Sequence, residues 1–81
     1  MRYLRLANGI WVTARWIVDD LTISIAGRPD VVVLSLQEPL PFDLTEDLSG
    51  TGALWLVTWD EVTSTITRYR SADTGRTWSL A

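Results

Sequence analysis

Apolar and polar side chains alternate along most of this chain with a period of two, the pattern of strands, and nowhere with the 3.6-residue period of a long helix. Leu4, Leu6, Ile10, Val12 and Ala14 share one face of a first hairpin if Ala7-Asn8-Gly9 forms a three-residue loop with Gly9 left-handed. A two-residue Asn-Gly turn would set Leu6 against Trp11 and Arg2 against Arg15, mixing the faces and pairing like charges. The longer loop is therefore expected. It gathers Tyr3, Arg5, Trp11, Thr13 and Arg15 on the other face and assigns Trp16 and Val18 to the core side.

After Asp19-Asp20, the residues Leu21, Ile23 and Ile25 alternate with Thr22, Ser24 and Ala26 as a half-buried strand. Gly27-Arg28-Pro29-Asp30 makes a turn, because Pro29 fixes φ and stops the strand. Val31 to Gln37 follows with Val32, Leu34 and Leu36 inward. Residues 38–52 break the alternation and are expected to form an irregular loop or contact arm, with Leu40, Phe42, Leu44 and Leu48 as its anchors. Asp43 and Glu46 have the spacing of a capping box, which predicts one helical turn running to Leu48. Ala53 to Asp60 has large apolar groups on both faces and is expected to be a central strand. A Thr-rich strand to Ser71 and a short last strand from Thr77 to Leu80 complete the chain.

About seven strands and no long helix give an all-β reading. The expected fold is a small antiparallel sandwich or barrel in one domain, residues 1–81, with residues 38–52 crossing between sheets. The alternative is a set of β-propeller blades, just under two per chain, completed by oligomerisation.

One turn is specified more tightly than the others. In Ser71-Ala72-Asp73-Thr74-Gly75-Arg76-Thr77-Trp78, Asp73 is placed to accept hydrogen bonds from the loop's own N–H groups. Gly75 supplies a positive φ, Ser71 can bond within the turn, and Trp78 can close its base. An ordinary Asp-x-Gly hairpin followed by a Trp is the simpler alternative. Residues 66–80 resemble an Asp-box hairpin (Ser71, Asp73, Gly75, Thr77, Trp78), as found in sialidases and other β-propellers, secreted microbial ribonucleases and phage surface proteins. In those families the motif sits at a hairpin tip away from the active site. The resemblance thus implies a fold element and carries no catalytic residue to any position here.

Charge and composition narrow the chemistry. Ten carboxylates against seven Arg/Lys residues, all arginine, give a net charge of −3, which argues against a nucleic-acid partner held through phosphates. With no Cys and no His, disulfides, thiolate metal sites and the usual neutral-pH acid/base are all missing. No apolar run approaches a membrane span or a signal peptide, so a soluble chain with no membrane insertion is expected. Asp19-Asp20 and Asp60-Glu61 are adjacent on strands and so point to opposite faces, which is no glycosidase dyad. Ser64 and Ser71 have no base to activate them. The carboxylates of residues 38–52 match no calcium-loop spacing, so neither metal nor cofactor is expected and no enzyme is read.

The aromatic content points elsewhere. Five Trp exceed what one small core needs, and Tyr3, Arg5, Trp11 and Arg15 form a candidate face for a protein partner, self-association or a glycan, unless a packed sheet covers them. Arg68 and Arg70 form a second stripe that can grip an anion or line an interface. The leading expectation is a non-catalytic structural or interaction protein, a subunit of a larger assembly. The company that Asp boxes keep suggests a small bacteriophage virion component, from a tail, a tail tip or the capsid exterior. A carbohydrate-binding module is the second expectation, and a fragment-like subunit of a sialidase-type enzyme the third.

Overall fold

The computed structural model describes all 81 residues, Met1–Ala81. They form two four-stranded antiparallel sheets, each a simple meander. The first comprises β1 (Arg2–Arg5), β2 (Trp11–Ile17), β3 (Asp20–Ile25) and β4 (Val31–Ser35); the second comprises β5 (Phe42–Glu46), β6 (Leu54–Asp60), β7 (Thr65–Ser71) and β8 (Ser79–Leu80). The fold is all-β, a two-sheet stack of eight strands rather than seven.

The first hairpin pairs Leu4 with Val12 and Arg5 with Trp11. Leu6 N donates to Ile10 O (2.8 Å), Gly9 sits at φ 88°, and Asn8 Oδ1 accepts from Ile10 N (3.0 Å). This is the three-residue loop, and it turns Leu4, Leu6, Val12 and Ala14 inward.

The next turn departs from expectation. Ile17 pairs with Asp20, so only Val18 and Asp19 connect β2 to β3, and Val18 is thrown to solvent at 84% exposure instead of joining the core. Its φ of 55° is unfavourable for a β-branched side chain. Val18→Asn is expected to raise stability by about 1 kcal/mol, read as a higher urea midpoint at unchanged slope.

A bulge sets the face of β4. Leu21 pairs with Leu34 but Thr22 pairs with Val32, leaving Val33 as the extra residue. Val32 is therefore turned outward and half exposed, while Val33 and Leu34 both pack on the core. Leu36, also expected inside, lies beyond the strand end and is 39% exposed.

Residues 38–52 contain a strand, not an arm. Phe42, Leu44 and Glu46 pair with Thr58, Leu56 and Leu54, and the helical turn expected over Asp43–Leu48 is absent because Asp43 and Glu46 are strand residues. The crossing between sheets is made by residues 36–41. β6 lies between β5 and β7, with Leu54 and Leu56 buried inward and Trp55, Val57 and Trp59 on the other face.

The core lies between the sheets. Leu6, Val12, Ala14, Leu21, Ile23 and Ile25 from the first meet Leu44, Leu54 and Leu56 from the second. It is thin, with 14 of 81 residues buried, so a few side chains carry most of the hydrophobic stabilisation. No helix long and apolar enough to cross a membrane is present.

Candidate functional site

The Asp73 hairpin is a closed polar circuit. Thr77 donates to Asp73 from its hydroxyl (Oδ2, 2.6 Å) and from its amide (Oδ1, 2.9 Å), and the Ser71 hydroxyl donates to Oδ1 (2.8 Å). Ser71 Oγ, fully buried, also accepts from Gly75 N (2.7 Å), so its donor and acceptor are both used. Gly75 takes φ 86°, and Trp78 Nε1 closes the base by donating to its carbonyl (3.0 Å). The five residues Ser71, Asp73, Gly75, Thr77 and Trp78 are thus brought together, facing one another rather than a ligand.

The Thr77 hydroxyl and amide hold the Asp73 carboxyl at about 2, below its ordinary range, with a smaller contribution from Ser71. In the unfolded chain the group titrates near 3.9. Stability from this carboxylate is therefore complete above about pH 4 and lost as pH falls toward about 2, since the unfolded chain takes up the proton first. Asp73→Asn is expected to flatten the fall in urea midpoint over that window, and Asp73→Ala to cost about 1 kcal/mol at neutral pH. An acid profile identical to that of the parent chain would contradict this.

Other acidic groups also hold their own turns. Asp47 Oδ1 accepts from Ser49 N (2.8 Å) and its Oδ2 from Trp55 Nε1 (2.8 Å), with Arg70 Nε 3.6 Å away and the Arg70 guanidinium 5.7 Å from the Trp55 ring centre. The Ser49 amide and the Trp55 indole bring the Asp47 carboxyl to about 2. Asp60 Oδ1 accepts from Val62 N (2.9 Å). No three His, Cys, Asp or Glu side chains gather as a metal set.

The first face expected from sequence is assembled as a surface. Tyr3 pairs with Thr13, Arg5 with Trp11 and Arg15 with Thr22, all on the outer side of the first sheet, and Tyr3 and Trp11 are 61% and 58% exposed. The expected arm is dispersed instead. Leu44 is fully buried and Phe42 packs on the core. Leu40 is half-buried with its carbonyl accepting from Trp16 Nε1 (2.9 Å), and only Leu48 is free in solvent.

Two concavities lie at opposite ends of the stack. A cleft of about 300 Å³ is lined by Ile23, Ile25, Val31 and Gly75 together with Arg28 and Arg76. A broader groove of about 690 Å³ runs between residues 36–41 and the β6–β7 hairpin, lined in part by Trp59, Asp60, Glu61, Thr65 and Tyr69. The groove and the Asp47–Trp55–Arg70 cluster were not foreseen. Trp55, Trp59 and Arg70 share a face by simple alternation, but Asp47 reaches it only because β5 exists.

Comparisons with protein-family models, curated proteins and solved structures find no match to this chain.

Proposed function

We infer that this chain is a non-catalytic structural or interaction protein that works as a subunit of a larger assembly. The observation that carries the reading is the pair of outer sheet faces, one presenting Tyr3, Arg5, Trp11 and Arg15 and the other Trp55, Trp59, Arg68 and Arg70. Aromatic and Arg side chains on a flat sheet are the usual anchors of protein interfaces. Asp47, Asp60 and Asp73 are meanwhile bonded to their own turns and are not poised for acid/base work. The Asp73 hairpin, as an Asp-box element, supports a place among phage surface proteins and hence in a virion. Mass spectrometry of purified particles from the host that encodes the chain should find it in stoichiometric amount. Its absence from such particles would remove the virion assignment.

The groove between residues 36–41 and the β6–β7 hairpin favours a second reading, carbohydrate binding, because carboxylates, hydroxyls and the aromatic Tyr69 line it. Titration with neutral oligosaccharides discriminates between the readings. A Trp emission shift that Trp59→Ala abolishes would favour the glycan, and unchanged emission favours the assembly subunit.

A further inference from the structure

The two sheets are related in a way that leaves the stack open. β1 and β5 lie side by side and run in the same direction, since Arg2 Nε meets Leu44 O (3.4 Å) and Asp43 Oδ1 (3.1 Å) while Ala7 N meets Glu46 Oε1 (2.9 Å). The β3–β4 and β7–β8 turns emerge at the same end, where Arg28 Nη1 donates to Thr74 O (3.2 Å). Both sheets run in the order first strand to fourth. Two meanders stacked this way are related by a step in one direction and not by a two-fold, so the front of the first packs on the back of the second. A two-fold sandwich would instead bury like faces and be complete.

Side-chain positions agree. Trp16 precedes the closing pair Ile17–Asp20 of its hairpin, and Trp59 precedes the closing pair Asp60–Thr65 of the equivalent hairpin. Trp16 points into the interface and donates to Leu40 O; Trp59 occupies the same place on the outside of the second sheet with no indole partner inside the chain. Arg2 and Asp43 are also counterparts, opposite Ala14 and Val57, each three residues before those closing pairs. They pair across the sheets while each side chain stays about half exposed (47% and 50%). A following copy stacked by the same step would set its Arg2 against the free side of Asp43 and cover Trp59.

We propose that the outer face of the second sheet, centred on Trp59 and Asp43, binds the outer face of the first sheet, centred on Trp11 and Tyr3, of a second copy of this chain, closing a ring of stacked sheets. The contact is heterologous, front to back, and a closed ring is the finite form that leaves no copy with an uncovered face. Closed propellers hold about four to eight such sheets, which at two per chain corresponds to two, three or four copies. The proposal rests on the reading of the chain as an assembly subunit and names its partner.

Light scattering across the micromolar range tests it. A single discrete oligomer is expected, and Trp11→Glu and Trp59→Glu should each reduce it to monomer while far-UV circular dichroism and cooperative unfolding stay intact. Mixing the two variants should restore a 1:1 dimer and nothing larger, because each still carries the face that the other lacks. If Trp59→Glu misfolds, Asp43→Arg takes its place, with Arg2→Asp added to the same chain to restore the ring. A monomer at every concentration, an oligomer unmoved by either variant, or variants that fail to complement would each overturn the ring. None of these would remove the chain from a particle built with other proteins.

Discussion

Leu44→Ala should cost about 3 kcal/mol, while Leu48→Ala, four residues on, should change stability by less than about 0.5 kcal/mol. Leu44 is completely buried opposite Leu56, in a core whose members come from both sheets, so its truncation leaves a cavity that strands pinned on either side cannot close. Leu48 is fully exposed at the β5–β6 turn. A domain of this length has a total stability of about 4 to 12 kcal/mol, so the first variant is expected to sit near its unfolding midpoint in modest urea. Amide exchange gives the same contrast, with the β5 amides that bond to β6 protected and Leu48 open. Equal, small losses for both variants would restore the contact-arm reading of residues 38–52.

That segment shows where sequence reasoning met its limit. Phe42-Asp43-Leu44-Thr45-Glu46 does alternate, but over five residues only, and Pro39 and Pro41 before it with the glycines after it read as loop. Asp43 and Glu46 fit a capping box equally well by spacing. What decides is tertiary: without β5 one edge of β6 would keep unpaired backbone groups, among them Trp59 N, which donates to Pro41 O (3.2 Å), and Ala53 O, which accepts from Asp47 N (2.8 Å). The first hairpin was legible for the opposite reason, since its two candidate registers put different side chains in the core and only one separates apolar from charged. The bulge at Val33 left no trace, because Val31, Val32 and Val33 are identical in hydrophobicity and the choice among them is made by pairing with β3.

The candidate site divides along the same line. The Asp73 circuit is local, closed within eight residues, and the residue types name their partners. The Tyr3–Trp11 face follows from one hairpin register. The groove under residues 36–41, and the parallel placement of β1 and β5, depend on how the two sheets stack, and no local pattern specifies that step.

Trp78→Ala is expected to cost about 3 kcal/mol or more, and Trp78→Phe only about 1 kcal/mol. The ring does two separable things: it packs against the core cluster, and its Nε1 holds the Gly75 carbonyl. Phenylalanine keeps the first and loses the second. The alanine loss should extend beyond the hairpin, because Gly75 is buried against the other sheet, close enough that an added Cβ would meet Ile23 Cγ2 at 3.4 Å and Ile25 Cδ1 at 3.6 Å. The tip of the second sheet therefore rests on β3 of the first, and Arg28 ties the same end through Thr74 O. Loosening Trp78 releases this seam as well as the turn, so amide protection should fall in β3 as well as in residues 71–78. Loss confined to the turn would mean that the hairpin is a local decoration and that the sheets are held together by the leucine core alone.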